Sequence, residues 1–258
     1  MRVIVVKDSK EMGRRAAQLI VEDMKYHATY VLGLATGSTP LPLYKELIRL
    51  HKDEGLDFST VISFNLDEYI GLPPDHPESY HYFMQDNLFK RININPKLTH
   101  VPEGNVPYET DEDLRLIEKV CEQYETMMDD VGGVDYQVLG IGGNGHIGFN
   151  EPGSSLGSLT RIKTLAEQTR LDNARFFNNN INEVPKYAIT MGIGTILKAR
   201  KVVLLANGAS KANAVAAALE GPVTSMCPAS ALQLHRYATC VIDEAAASKL
   251  TLETYEQG

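Results

Sequence analysis

Cysteine is scarce in this chain of 258 residues. The three cysteines, Cys121, Cys227 and Cys240, are odd in number and lie far apart in the sequence. Neither a disulfide framework nor a zinc-binding pattern has this spacing. We therefore expect reduced thiols, with Cys121 and Cys240 in the protein core.

Long apolar runs, internal repeats and low-complexity segments are also missing. No stretch approaches the roughly 20 apolar residues that cross a bilayer. The first apolar run, residues 3–6, meets the charged residues Lys7 and Asp8 at once, which is unlike a signal peptide. We expect a cytoplasmic protein without a membrane partner.

The sequence has no excess of positive charge. Its formal net charge is −8, and acidic and basic residues are interspersed along the chain. This balance argues against a general nucleic-acid or membrane-surface binder. The hydrophobic content of 43% is enough for a large core, and no linker is evident, so we predict one domain over residues 1–258.

Short apolar runs alternate with helical patterns. Buried strands are predicted at residues 3–6, 30–35, 60–64, 136–141, 187–191, 201–206 and 239–242. Helices are predicted after a cap at Asp8 and over residues 40–54, 111–130 and 210–219. This alternation predicts an α/β fold with an open, mainly parallel, Rossmann-like sheet and helices on both faces.

The glycine-dense segment 139–153 follows one of these strands and carries His146 and Glu151. Such a loop lets the backbone approach a ligand closely, and His146 and Glu151 can converge on one proton. The alternative is a tight structural turn with a solvated histidine. The segment also fits G-x-G-x-x-G, but no helix start follows it, so we reject a dinucleotide site.

A second candidate loop, Thr36-Gly37-Ser38-Thr39, follows the strand at 30–35 and precedes a helix that opens with proline. Backbone N–H groups, hydroxyls and a helix N-terminus together favour a phosphate. A plain helix cap explains the same residues nearly as well.

Two adjacent acids, Asp67 and Glu68, follow the strand at 60–64. They are candidates for a catalytic base or for a turn and helix cap. Neighbouring residues of a strand point to opposite faces, so the two should not share a role.

Taken together, six segments resemble the glucosamine-6-phosphate deaminase (isomerase) family. They are LGLATGSTP at 32–40, FNLDEYIGL at 64–72, HPESY at 76–80, GNGHIGFNEPG at 143–153, TRIKT at 160–164 and ARFF at 174–177. The resemblance extends from about residue 3 to residue 243, in the family's order and spacing.

This resemblance implies conversion of glucosamine 6-phosphate and water to fructose 6-phosphate and ammonia. No His/Cys cluster has the spacing of metal ligands and acid–base groups suffice for this reaction, so we expect no metal or organic cofactor. It implies that Asp67 moves a proton from C2 to C1, that His146 shuttles a proton in ring opening, and that Glu151 orients His146. Many family members have Asp at the position of Asn144, although shorter members often have Asn. The amide oxygen can still accept a hydrogen bond from imidazole.

The resemblance also extends the anion sites. It adds Arg175 and Lys211 to the phosphate-binding loop at 36–39. Positions that bind an N-acetylglucosamine 6-phosphate activator in larger, hexameric relatives match Ser154, Ser155, Arg161 and Lys163. Tyr255 lies in a short polar tail without the context of the relatives' effector tyrosine, so we expect at most a vestigial effector site.

Two competing functions remain open at this point. The first is a 6-phosphogluconolactonase-like hydrolase, although its histidine loop differs from the one in this chain. The second is a non-catalytic sugar-phosphate sensor, as in some repressors, although these carry a helix-turn-helix before the domain. The oligomeric state is expected to be a monomer or a small homo-oligomer.

Overall fold

The structure, a computed structural model, describes residues 1–251 and 256–257. Its α-helices are α1 (Ser9–Met24), α2 (Leu41–Glu54), α3 (Tyr80–Asn87), α4 (Asp111–Asp130), α5 (Glu167–Asn173), α6 (Ile193–Leu197), α7 (Ala212–Leu219) and α8 (Glu244–Ala247). Its strands are β1 (Arg2–Val6), β2 (Tyr30–Leu34), β3 (Val61–Asn65), β4 (Asp67–Tyr69), β5 (Thr99–His100), β6 (Tyr136–Gly140), β7 (Arg161–Thr164), β8 (Tyr187–Thr190), β9 (Lys201–Ala206), β10 (Ala238–Asp243) and β11 (Glu256–Gln257).

The strands form two sheets. The larger sheet has the order β11-β1-β10-β9-β6-β2-β3-β5, and every pairing within it is parallel. Its central strands are apolar and buried along their length, as expected where both faces of a parallel sheet are covered by helices. The predicted open, mainly parallel α/β sheet flanked by helices is confirmed.

Short-range interactions define the ends of three helices, and the predicted cap at Asp8 is confirmed. The Asp8 carboxylate accepts a hydrogen bond from the N–H of Glu11 and caps α1, and Ser79 caps α3 through the N–H of Tyr82. Helix α2 ends at Gly55, which has a left-handed backbone. The predicted helix at 210–219 begins later, at Ala212, because a 3₁₀ turn occupies the preceding residues.

The strand predicted at residues 187–191 is present, but it does not lie in the parallel sheet as expected. Residues 187–190 form β8, but this strand belongs to a small antiparallel sheet of order β4-β8-β7 rather than to the parallel sheet. Strands β4 and β7 were not predicted. The first is three residues long, and the second alternates charged and apolar residues with only partial burial, so neither has the apolar run of a core strand.

The cysteine expectation is confirmed, because Cys121, Cys227 and Cys240 are all buried and unpaired as disulfides. Among the residues that the structure describes, no helix is both long and apolar enough to span a bilayer.

Candidate active site

A cavity of about 360 Å³ lies at the carboxyl ends of β2, β6 and β9. These three strands are neighbours in the parallel sheet, so the loops that follow them meet at one edge. The predicted site residues that line the cavity are Thr36, Gly37, Ser38, Thr39, Asp67, His146, Arg175 and Lys211. The fold therefore brings together eight residues from five separate segments of the chain.

Asp67 is placed by the point where the chain leaves one sheet and enters the other. After β3 ends, Leu66 donates its N–H to the carbonyl of Leu34 and accepts the N–H of Met191 on its own carbonyl. Asp67 then begins β4 and pairs with Thr190 of β8. This double attachment fixes the carboxylate at the wall of the cavity.

The Asp67 carboxyl is 6% exposed, and its Oδ1 has no hydrogen-bond partner among the described residues. Burial, with a smaller contribution from the neighbouring Glu68, raises its pKa to about 8. A carboxylate that is costly to ionise and has no stabilising donor is a strong proton acceptor once it is ionised.

Glu68 has a different environment, as the alternation of a strand predicts. Its carboxylate accepts hydrogen bonds from the backbone N–H groups of Tyr69, Tyr80 and His81 at 2.8–2.9 Å. Burial raises its pKa to about 7, and the three N–H groups oppose that rise. Glu68 therefore holds the first turn of α3, which contributes Ser79 and Tyr80 to the cavity wall.

The loop that carries His146 depends on close backbone approaches at two glycines. A Cβ atom at Gly142 would lie 2.2 Å from Cε1 of His146, so the imidazole needs a residue without a side chain beneath it. Gly148 has a φ of +56°, and a Cβ there would lie 2.9 Å from Oγ1 of Thr190. Asn150 fastens the same loop to the small sheet through the carbonyl of Met191. The loop thus lies directly against the strand partner of Asp67.

Three side chains of this loop form a hydrogen-bonded relay. Oδ1 of Asn144 lies 2.7 Å from Nδ1 of His146, and Nδ2 of Asn144 lies 2.7 Å from Oε2 of Glu151. Oε1 of Glu151 is 3.6 Å from Nδ1 of His146. With the Asn144 oxygen accepting, Nδ1 carries the proton and Nε2 is the basic nitrogen. The structure thus links the three side chains, and their action as one catalytic unit stays a prediction.

The predicted phosphate residues line the cavity from three separate segments of the chain. Residues 36–39 connect β2 to α2, Lys211 ends the 3₁₀ turn after β9, and Arg175 lies in a 3₁₀ turn that follows α5. Both cations line the cavity together with the hydroxyls of residues 36–39. Two positive charges beside hydroxyl and backbone donors suit a dianionic phosphate.

Sequence reasoning missed part of the cavity wall. An aromatic cluster and two polar residues of α5 complete it, namely Tyr69, Tyr80, Phe149, Phe177, Thr169 and Asn173. The aromatic residues all lie in or beside the motifs quoted above, and this proximity could have identified them as part of the cavity wall. Thr169 and Asn173 gave no signal beyond the helical pattern.

The proposed effector residues lie elsewhere. Ser154 is buried and Ser155 is exposed, whereas Arg161 and Lys163 are half-buried neighbours on one face of β7. Burial lowers the pKa of both cations, and for Lys163 the charge of Arg161 lowers it further. None of the four lines the cavity, and Tyr255 lies outside the described residues.

The glycine-rich segment is not followed directly by a helix. After Gly145 the chain forms turns, and the next helix along the chain is α5, which begins at Glu167. No helix N-terminus therefore follows the glycines to meet a pyrophosphate.

The protein is an α/β protein with a parallel sheet, and its cavity is lined by a buried carboxyl group, an imidazole and two cations. Comparison with known proteins gives its family. A family model described as glucosamine-6-phosphate isomerases/6-phosphogluconolactonase matches residues 7–241. The chain belongs to this family. The family assignment based on the six sequence segments is confirmed.

Relatives are similar over almost the whole chain. A glucosamine-6-phosphate deaminase from Shewanella loihica is 54% identical over 250 residues, which cover 97% of this chain and 90% of that protein. A solved structure of a monomeric glucosamine-6-phosphate deaminase is 46% identical, has a TM-score of 0.91 and matches 97% of this chain and 100% of its own. A 6-phosphogluconolactonase from Leishmania guyanensis, at 22% identity and a TM-score of 0.76, shares the fold alone.

Proposed function

We propose that this protein converts glucosamine 6-phosphate and water to fructose 6-phosphate and ammonia. The observation that carries the proposal is the buried Asp67 carboxyl, which lines the same cavity as His146. A base and a proton shuttle in one cavity are what an aldose–ketose rearrangement requires. The high identity to curated deaminases over nearly the full chain supports the same conclusion.

The first step is opening of the sugar ring, which we assign to His146. Nε2 takes the proton of the anomeric hydroxyl and the ring oxygen receives a proton as the C1–O5 bond breaks, leaving an aldehyde at C1. Asn144 and Glu151 hold Nδ1 and so keep Nε2 as the basic nitrogen. Imidazole suits this task because it takes up and returns a proton near neutral pH.

The second step is enolisation, which we assign to Asp67. Its carboxylate removes the proton from C2, and the electron pair of the C2–H bond forms the C1–C2 double bond while the π pair of the C1 carbonyl moves to O1. O1 takes up a proton from the ammonium group at C2, which gives a neutral enolamine. The proton then returns to C1, and C2 becomes an imine. Water adds at C2 and ammonia leaves, which gives the ketone. The ammonium group at C2 favours the ionised form of Asp67 in the complex.

Phosphate recognition is assigned to residues 36–39 with Arg175 and Lys211. These groups bind the phosphate, which is attached to C6, five carbons along the chain from the aldehyde carbon C1. They therefore bind the ground state and the transition state alike. Their contribution is to hold C1 and C2 between the two acid–base groups. The cavity needs no metal or organic cofactor for these steps, because each step is a proton transfer or an addition of water.

We further propose that residues 1–258 act as one domain, in the cytoplasm, and as a monomer. A monomeric relative with a TM-score of 0.91 supports the oligomeric state. The cytoplasmic assignment follows from the substrate, since a charged sugar phosphate does not cross a bilayer unaided. Light scattering on the purified protein tests the monomer directly.

The deciding assay mixes the purified protein with glucosamine 6-phosphate and measures ammonia and fructose 6-phosphate together. Equal amounts of both products support the proposal. Release of neither product, with tight binding of the sugar phosphate, would indicate a sensor. Hydrolysis of 6-phosphogluconolactone in place of deamination would indicate the lactonase activity.

A further inference from the structure

Thr169 of α5 holds the carboxylate of the relay from a second side. Its side chain is 7% exposed and lines the cavity. Its Oγ1 donates a hydrogen bond of 2.5 Å to Oε1 of Glu151. A bond of a hydroxyl to a carboxylate at this distance is among the stronger kinds in proteins.

The other oxygen of Glu151 is held by the loop itself. Oε2 accepts a hydrogen bond from Nδ2 of Asn144, whose oxygen contacts His146. The Glu151 carboxylate is therefore fixed between two elements, the glycine-rich loop and α5. Removal of either donor frees the carboxylate to rotate away from its 3.6 Å approach to His146.

Helix α5 also reaches the other two parts of the site. Two residues after the helix comes Arg175, a cation of the proposed phosphate site. The last residue of the helix, Asn173, donates a hydrogen bond of 2.8 Å to the hydroxyl of Tyr69 in β4, the strand that begins with Asp67. One short helix thus contacts the relay, leads into the phosphate site and contacts the strand of the proposed base.

We propose that Thr169 is a positioning residue that orients Glu151, and through it His146, when the phosphate of the substrate is held by Arg175. This inference rests on the proposed deaminase function. When the phosphate binds, it fixes the turn after α5. The helix is continuous with this turn, so the Thr169 hydroxyl is fixed in place with it. The effect of Thr169 on the reaction is therefore on the step that His146 performs, and its effect on phosphate binding is small.

The test compares Thr169→Val, which keeps the shape and removes the hydroxyl, with Thr169→Ser, which keeps the hydroxyl. For Thr169→Val we expect kcat to fall about ten- to a hundredfold, the usual effect of losing a hydrogen bond to a charged group. KM should stay within about threefold of the natural value, because phosphate binding contributes equally to the ground state and the transition state. The Kd of the reduced open-chain analogue 2-amino-2-deoxyhexitol 6-phosphate should stay within the same limit. Thr169→Ser should restore most of kcat.

Thr126→Val is the matched control, because Thr126 lies on the exposed side of α4 and, among the residues that the structure describes, its hydroxyl bonds to the carbonyl of Glu122 in its own helix alone. It should change neither kcat nor KM. A second control places Thr169→Val in a Glu151→Ala background, where it should lower kcat by less than about twofold, since interacting residues are non-additive. If Thr169→Val does not fold, Thr169→Ala gives the same comparison.

Three results would overturn the inference. The first is a Thr169→Val kcat within about threefold of that of the natural protein. The second is a loss of analogue affinity as large as the loss in kcat, which would make Thr169 a wall of the cavity. The third is a full additional loss in the Glu151→Ala background. Failure of the natural protein to release ammonia would instead contradict the proposed function, so the two failures are distinguishable.

Discussion

Asn144 links His146 to Glu151 through its amide, accepting from the imidazole with one end and donating to the carboxylate with the other, each over 2.7 Å. Only an amide does both at once, because a carboxylate in the same place has no proton to donate. The amide thus relays orientation from Glu151 to His146 without adding a negative charge.

Asn144→Asp should shift the acid limb of the activity–pH profile to higher pH and lower activity at neutral pH. A second carboxylate beside the imidazole favours the imidazolium form, so the neutral base is recovered only at higher pH. The new carboxylate would also repel Glu151, since the two groups would lie within hydrogen-bonding distance without a shared proton.

The measurement is kcat as a function of pH for the natural protein and the variant. A profile that keeps both limbs in place would show that position 144 does not act on His146 electrostatically. Asn144→Ala serves as the control, because it removes the link to Glu151 without adding a charge.

Asp67→Asn should abolish enolisation and leave binding of the phosphorylated sugar largely intact. An amide does not accept the C2 proton, and the residues proposed to bind the phosphate are in other segments that line the cavity. The exchange of the C2 hydrogen for deuterium in heavy water, followed by NMR, measures the step itself. Exchange at the natural rate would remove Asp67 from the role of base, and Asp130→Asn on the exposed end of α4 controls for the loss of one charge.

The same variant should be more stable than the natural protein at high pH. The folded-state pKa of Asp67, about 8, lies above the ordinary value of 3.8, so the unfolded chain releases this proton first. The stability of the natural protein therefore falls as pH rises between the two values, by an amount on the order of a few kcal/mol. The asparagine side chain does not ionise, so the stability of Asp67→Asn does not fall in this way.

Urea denaturation at acidic pH and at a pH above the raised pKa gives the comparison. The difference in the free energy of unfolding between the two proteins should be small in acid and reach its full size in alkali. A difference that is constant with pH would mean that Asp67 does not titrate with a raised pKa.

The rate constant kcat/KM should rise with pH through an acid limb near the raised pKa of Asp67, about 8. The group is a base only when it is ionised, and kcat/KM reports the free protein. In the complex the ammonium group of the sugar lowers the pKa of Asp67, so the acid limb of kcat should lie at lower pH. A ¹³C titration of the Asp67 carboxyl, assigned with the Asn variant, separates this group from the amine of the substrate. Titration in its ordinary acidic range would contradict the prediction.

The activity should be hyperbolic in substrate and indifferent to N-acetylglucosamine 6-phosphate. Arg161 and Lys163 repel each other on one face of β7, and Ser155 is open to water. Coupling between two sites requires differential binding of about 1–3 kcal/mol, and a pair of cations that already repel each other and lose hydration by burial is a poor source of it. Steady-state rates with and without millimolar activator decide the matter. A sigmoidal curve that the activator makes hyperbolic would show a complete effector site.

The parallel sheet, the start of α1, the bounds of α2 and α4 and the candidate acid–base groups could all be predicted from the sequence. Strands such as β9 are continuous apolar runs, and the caps at Asp8 and Ser79 act within three residues of their own position. Signals of this kind are local, so they can be recognised without knowing the rest of the fold.

How these groups meet depends on long-range packing. The small sheet pairs Asp67 with Thr190, more than a hundred positions away, and one of the two paired strands, β4, is too short to show an apolar run. The contact of Thr169 with Glu151 depends on where α5 packs, which no periodicity records. Sequence patterns report which faces of an element are buried, whereas the partner on the other side is chosen by long-range packing.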